Sequence, residues 1–523
     1  MYIFNDYLFI AALVLMLISI VLHYYSQYKC SLSLSLSLSA LFFAALFIRY
    51  FAAHLDPFLH DWDEKFHALV ALNMMEDPLT PMLRTKEVPM YDFNYTAWCC
   101  NHIWLHKQPM FMWQMALSMK IFGVTEFAIR YPSVLMGAIM VLFVYRIAVL
   151  LTKEKTLAFG AAMLMCVSHY QLELISGYYG MDHNDLAFGF YVLASIWAYT
   201  EYINNTKAGW AVLIGVFAGC AILNKWLTGL LVYSAWGLTI VFSLLNKTTK
   251  NNILHFLVSL IVCVIFFLPW QLYILDTFPK EAMYEYALNS MHIFDAVENH
   301  GGDILFYLGK FYLYYGNYVY WLLPVGIIFL LVDKGYDTKI KQALIVYFLL
   351  VFVFFSFVVQ TKMTSFLFPV VPLGFIFIAV ALFRLTGYTK LPKLTYILLM
   401  LIGCYFVLDV KTIGVNHHPK QELRMAKMKN AAIYKNIRAY LPEDVKIVIN
   451  MPRYGDVELM FYHPDIIAYT YAPSKEIFDM LEKSKTPVAA FNNHKDYYLP
   501  DYARWYTYRY IIHKDFGYVY FAD

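Results

Sequence analysis

Hydrophobic positions in this chain come in long runs, separated by short polar connections. Twelve such runs recur at about 8–26, 33–52, 130–151, 156–176, 185–203, 208–224, 227–246, 253–275, 316–332, 340–360, 366–386 and 394–412. Each approaches the roughly 20 residues that a helix needs to cross about 30 Å of hydrocarbon. The pattern predicts an all-α polytopic membrane protein with about twelve transmembrane helices. The Ser-Leu alternation over 31–39 has the period of a strand. Inside a membrane segment its hydroxyls can bond helix backbone, so a helix is predicted there as well. The first run lacks a basic n-region and an A-x-A site and is read as a retained helix.

Charge in the connections sets the orientation. One side carries Lys29, Lys153, Lys155, Lys207, Lys247, Lys250, Lys334, Lys339, Lys341, Arg384, Lys390 and Lys393. The short connections of the other side carry only Lys225, Lys280, Lys310 and Lys362. The positive-inside rule then puts the first set in the cytoplasm. The stretches 61–131, 177–184 and 276–315, with everything after 412, face outward. Segment 109–122 is too short to span, and counting it would reverse every later loop. It is predicted to lie in the interface with Trp113 at headgroup depth.

After 412 the pattern shortens. Strands are predicted at 445–450, 465–471 and 487–491, and Ser474 is placed to cap a helix over 475–483. The expected organisation is a transmembrane region over 1–412, with outer loop 53–129 as the active-site loop, and a small extracytoplasmic α/β domain over 413–523. No Gly-rich phosphate loop marks that domain as nucleotide-binding.

Composition narrows the function classes. The chain is 61% hydrophobic, 15% charged and 19% aromatic, outside the soluble globular range. A net charge of +3 without a basic run gives no case for nucleic acid. The seven cysteines form no CxxC, and Cys99 and Cys100 are adjacent, which does not suit an ordinary disulfide.

The candidate chemistry lies in the outward connections. Asp63-Glu64 follows the second run by about ten residues and can serve as general base, metal ligand or plain solvated charge. Lys107 stands before Gln108-Pro109, where an ammonium can pair with a phosphate or simply anchor the segment at the interface. Asp182 and Asp185 open another run, where carboxylates near hydrocarbon tend to be functional, although Asp185 could also cap the helix. Lys225 and Lys362 close runs on the same side. Glu298 and His300 lie on a further outward loop. His102 and His106, four apart, have the spacing of two ligands on one helix face but no evident third. The sequon Asn94-Tyr95-Thr96 matters only in a eukaryotic source. Acids and lysines hundreds of residues apart thus converge on one face of the membrane.

On these residues the chain resembles the polytopic GT-C glycosyltransferases, which take sugar from a polyprenyl-phosphate donor. It is most similar to the lipid A aminoarabinose transferase and protein O-mannosyltransferase groups. The shared stretches are Asp63-Glu64, Lys107 to Trp113, Ile121 to Ser133, the Asp182/Asp185 turn, Gly215 to Lys225, and Lys362 followed by Pro369 and Pro372. They extend over residues 33 to about 412. The resemblance implies Asp63 as the acid of the first outer loop and Lys107 as the lysine that meets the donor phosphate. Here the usual Lys-Pro-Pro is Lys-Gln-Pro.

The expected function is therefore inverting transfer of a sugar from a polyprenyl-phosphate carrier to a lipid, glycan or protein acceptor. The setting is a bacterial inner membrane, with site and C-terminal domain facing the periplasm. Asp63, Glu64, Asp182 and Asp185 are the candidate catalytic acids. Lys107, Arg130, Lys225 and Lys362 are the candidate phosphate ligands. His102, His106, Glu298 and His300 are candidate acceptor or metal contacts. A divalent cation is left open as cofactor, and membrane lipid is the remaining partner. Two other readings use the same composition: a transporter or lipid flippase, and a non-catalytic envelope protein that binds glycan or lipid.

Overall fold

The computed structural model describes residues 2–26, 31–84, 96, 101–179, 182–245, 250–452, 454–491 and 499–512. The cysteine pair 99–100 and most of the 94–96 sequon lie outside this set. The protein is a mostly helical, polytopic membrane protein with a small C-terminal sheet. Among the described residues, ten helices are long and apolar enough to cross a membrane. The run at 316–332 falls instead on the pair Leu308–Tyr315 and Val319–Val332, bent by 117°. The run at 227–246 holds only a shorter apolar helix, Leu227–Val241. Hydropathy alone therefore overcounts straight spans, because it records how apolar a stretch is but not where it bends.

Two polar devices hold the bundle. The Ser-Leu run is helical, as part of Ser31–Ala53. Its Ser37 hydroxyl does not turn back on its own helix: it donates to Ser19 O of the neighbouring helix at 2.8 Å, and Ser19 returns the bond to Ser37 O at 2.8 Å. Arg49 is fully buried and, among the described residues, has no acid partner. Its guanidinium instead donates to Gln171 Oε1 and to the carbonyls of Ala45, Met165 and Cys166. Ala45 lies one turn back on Arg49's own helix, and the other acceptors stand where the chain breaks between helices Lys155–Cys166 and His169–Ser176, so a charge in hydrocarbon is matched by polar groups at the break. Gly137 makes the room, since a Cβ there would fall 2.6 Å from Arg49 Nε.

Between the second and third spans lie two short helices, Asp63–Asn73 and Met110–Phe122. The second has 13 residues, about 20 Å of rise, too little to cross. It is pinned by Trp113 Nε1, which donates to Pro78 O at 2.7 Å. Glycine at 123, with φ +82°, ends it, and Thr125 Oγ1 caps the next span by accepting from Ala128 N.

After the last span, helix Glu422–Lys435 leads into a four-stranded sheet: β1 (Ile447–Ile449), β2 (Ile467–Ala468), β3 (Val488–Phe491) and β4 (Arg509–Ile512). The strand order is β2-β1-β3-β4 and every pairing is parallel. Strands appear in each of the three predicted stretches, and β4 is an addition. This unit shares one apolar core with the loop helices: Leu59, Phe66, Leu69 and Phe111 cluster with Tyr434, Val448, Val457 and Met460. The loop helices and the sheet are therefore packed as one body.

Candidate active site

Asp63 is the first residue of helix Asp63–Asn73, where the helix dipole favours a carboxylate. Its side chain is 20% exposed, and His67, one turn on, brings Nε2 to 3.7 Å from Oδ1. Burial would raise the Asp63 carboxyl. Lys107 first, then His67, His106 and Lys225, outweigh it and hold the group below its ordinary value. Asp63 is thus a carboxylate at neutral pH, faced by lysines from two separate parts of the chain.

Lys107 is half-buried, and among the described residues its ammonium has no hydrogen-bond acceptor or ion-pair partner at contact distance. The segment that carries it is fixed on both sides. His106 Nδ1 lies 3.2 Å from Glu285 Oε2. Gln108 Oε1 accepts from Gln271 Nε2 at 2.7 Å, and Gln271 Oε1 in turn accepts from Tyr286 OH at 2.7 Å. The glutamine found in place of proline therefore ties the Lys107 segment to helices Lys250–Thr277 and Pro279–Phe294.

Lys225 ends its span in an ion pair with Asp185, whose carboxylate is almost wholly buried. The ammonium also lies over the Phe366 ring, 5.7 Å from its centroid. Asp185 is in electrostatic reach of Asp63 and Lys107, so all four groups form one cluster. His292 borders it, donating to or accepting from Thr361 Oγ1 at 3.1 Å. Burial and then Lys107, His106, Lys225 and His300 lower His292 to about 4, which leaves a neutral imidazole beside the lysines.

Other predicted residues go elsewhere. Arg130 is not free for a phosphate: its N–H groups donate to Glu64 Oε1 and Oε2 and to the carbonyls of Ala53, Asp56 and Phe58, which uses all five. Glu64 is equally committed. It is fully buried on Arg130 and also accepts from His60 N at 2.6 Å, so it points away from Asp63 and is no catalytic acid in this geometry. Lys362 is not free either. Its ammonium donates to the carbonyls of Phe355, Ser356 and Val359 at 2.5–2.9 Å, filling the end of a one-turn π-helix. His102 is buried, with Nδ1 on Arg84 O, while His106 faces Glu285, so the two do not converge on a metal. Among the described residues no group of three or more His, Cys, Asp or Glu does so. Asp185 is not a helix cap, because its helix already begins at Asp182. His300 is exposed, and its carbonyl accepts from Lys362 N at 2.7 Å. The side chains of Asp182 and Glu298 lie outside the described residues.

Sequence reasoning missed the ring of charges that surrounds the first turn of helix Asp63–Asn73. Lys65 Nζ lies 2.8 Å from Asp61 and 3.0 Å from Glu458, and Lys427 Nζ is 2.7 Å from Asp61. Asp56 accepts from Arg424 Nε at 2.6 Å and stands 2.7 Å from His417 Nδ1, whose Nε2 is 2.8 Å from Glu173. The i,i+4 spacing of Asp61 and Lys65 was a visible signal. The partners after residue 412 were not.

Residues 106–273 match the family described as dolichyl-phosphate-mannose-protein mannosyltransferase. Over 169 residues the chain is 30% identical to an undecaprenyl phosphate-alpha-4-amino-4-deoxy-L-arabinose arabinosyl transferase 2 of Pseudomonas fluorescens, which covers 31% of this chain and 29% of that protein. The corresponding transferase of Yersinia enterocolitica is 25% identical over 287 residues, 51% of this chain and 48% of its own length. The chain thus matches about a third to a half of the length of these curated relatives. ArnT from Cupriavidus metallidurans superposes with a TM-score of 0.60 over 86% of this chain and 88% of its own, at 16% identity.

The fold is that of ArnT.

It is a GT-C fold, and the archaeal oligosaccharyltransferase AglB from Archaeoglobus fulgidus shares it more distantly, with a TM-score of 0.54 at 11% identity over 82% of this chain and 64% of its own. The matched stretch 106–273 carries Lys107, Asp185 and Lys225 of the cluster, and Asp63 lies outside it.

Proposed function

We propose that the protein is an inverting membrane glycosyltransferase that moves a sugar from a polyprenyl-phosphate carrier to a lipid, glycan or protein acceptor. The observation that carries this reading is the meeting of an unengaged Lys107 with Lys225, Asp185 and the ionised Asp63 at one end of an ArnT fold. Curated relatives named for an undecaprenyl-phosphate sugar, and a solved ArnT bound to undecaprenyl phosphate, support the donor class.

In this reading the donor phosphate sits on Lys107 and on the N–H groups of Lys225 that Asp185 leaves free. Asp63 takes the proton of the acceptor hydroxyl as its oxygen attacks the anomeric carbon from the face opposite the phosphate. The bond from that carbon to the phosphate oxygen breaks, and polyprenyl phosphate leaves with its negative charge on the two lysines. Those cations matter most there, because the charge grows in the transition state. Asp185 holds Lys225 in place.

Lys107→Ala is expected to weaken undecaprenyl phosphate binding about ten- to a hundredfold, the equivalent of one lost charge-assisted contact of roughly 1.5–3 kcal/mol. Lys107→Arg should lose less. Lipid-phosphate binding to the full-length protein in detergent checks both, together with transfer assays on undecaprenyl-phosphate-linked sugars. Wild-type affinity in Lys107→Ala would return the lysine to a simple interfacial anchor.

The cluster and the C-terminal unit are proposed to face outward, into the periplasm of a bacterial inner membrane. With Cys30, Cys99 and Cys100 replaced, Asn299→Cys should react with an impermeant thiol reagent in intact cells and Asn205→Cys should not. Both positions are exposed. The lysine asymmetry is the basis, and the opposite labelling would reverse the orientation.

A further inference from the structure

The turn that delivers Asp63 is held by more than its own Lys65–Asp61 pair. Trp62, the residue before helix Asp63–Asn73, has φ +63° and no side chain caps the helix. A bulky residue in that region is strained and persists only where its surroundings fix it. Further fixing groups come from beyond the last span. Asp61 and Lys65 bracket Asp63 by two residues on either side. Asp61 is gripped by Lys427, and Lys65 by Glu458. Burial would raise Asp61, and Lys65 with Lys427 more than reverses it, so the grip on Asp61 is between full charges. The ring of Tyr454 lies 4.7 Å from that of Trp62 and 5.6 Å from that of Phe66. Tyr454 is itself at φ +59°, at the start of helix Gly455–Tyr462. Along helix Glu422–Lys435, the cations Arg424, Lys427 and Lys435 meet Asp56, Asp61 and Glu126 in turn.

We propose that the C-terminal unit is a working part of the catalytic centre, in which Lys427, Glu458 and Tyr454 are positioning residues that set where the Asp63 carboxylate stands. This rests on the reading of Asp63 as the base. None of the three residues is placed on the reacting atoms; each acts through Asp61, Lys65 or Trp62. Without the grip, the strain at Trp62 can relax by swinging the first turn of the helix. That changes the distances from Asp63 to the charged and titratable groups that face it: Lys107 and His106 on the loop, His67 on its own helix, Asp185 and Lys225 on two spans. Displacements of about 1 Å at a reacting group cost on the order of a hundredfold in rate.

The test uses the full-length protein in detergent, as wild type, Lys427→Ala, Glu458→Gln, Lys427→Arg and, as a control on an exposed lysine, Lys446→Ala. Amide hydrogen exchange over residues 58–70 is read beside steady-state transfer from the undecaprenyl-phosphate-linked sugar that the wild type uses. Lys427→Ala and Glu458→Gln should speed exchange in that stretch and lower kcat about ten- to a hundredfold with the donor KM unchanged. They should also move the acid limb of kcat/KM to higher pH, since an Asp63 further from its cations is protonated more easily. Lys427→Arg and Lys446→Ala should keep wild-type behaviour. Unchanged exchange, or faster exchange with unchanged kcat and pH profile, overturns the proposal alone. A loss confined to folded yield, with turnover per folded molecule intact, overturns it too. A wild type that neither binds undecaprenyl phosphate nor transfers from it overturns the glycosyltransferase reading and this proposal together.

Discussion

Asp63→Asn is expected to lose about a hundred- to ten-thousandfold in transfer while the protein still folds and inserts. Asparagine keeps the size and the helix-terminal position, but it cannot accept the proton of the acceptor hydroxyl, and general-base assistance is typically worth that much. The side chain is partly exposed and its ion-pair contact is His67 at 3.7 Å, so Asn should cost a little stability without preventing folding. Undecaprenyl phosphate binding should survive, because the groups assigned to the phosphate are the lysines. In the wild type the acid limb of kcat/KM should lie below the usual carboxylate range, because Lys107 and its neighbours keep Asp63 ionised as pH falls. A variant with more than about a tenth of wild-type turnover would remove Asp63 from the role of base.

The neighbouring residue should behave in the opposite way. Glu64→Gln and Arg130→Leu are each expected to destabilise the protein by about 3–5 kcal/mol, because each leaves half of a buried ion pair uncompensated. The pair is fully enclosed, and the site has no slack: a Cβ on Gly177 would already fall 2.7 Å from Glu64 Oε2. The double variant Glu64→Met, Arg130→Leu should recover part of the loss, since it removes both charges together. Folded yield on detergent extraction and melting temperature read the effect. Either single variant melting like the wild type would mean that the pair carries little of the loop's stability. Two adjacent acids thus separate cleanly, Asp63 in rate and Glu64 in folding.

The helices were legible because hydrocarbon imposes its own length on an apolar run, and bends in a run leave no mark in hydropathy. The cluster of Asp63, Lys107, Asp185 and Lys225 was legible because charges at the ends of such runs are rare and the topology put all four on one side. The roles of Arg130 and Lys362 were not. A sequence shows the charge of a side chain and hides its partner. For Arg130 the partner is Glu64, 66 residues earlier, and for Lys362 it is a set of carbonyls in its own turn. The cations of helix Glu422–Lys435 look like the polar face of any amphipathic helix, since the acids they meet lie more than 300 residues upstream. β4 escaped notice because its four residues lie in a stretch of aromatics and charges with no turn signal beside them.

The core shared between the first loop and the C-terminal unit has a consequence for biogenesis. Asp56 meets Arg424 across a sequence separation of 368 residues, and the apolar face of helix Asp63–Asn73 meets Tyr434 and Val457 across a similar gap. At about 5–20 residues per second of synthesis, roughly 20 to 70 s pass between the emergence of the loop and that of its partners. During that interval the spans can insert and pack in order, while Phe66 and Leu69 lack the C-terminal side of their core. This loop is therefore the last region of the membrane part to mature, and a chain arrested before residue 424 would be a well-inserted bundle with an incompletely packed loop.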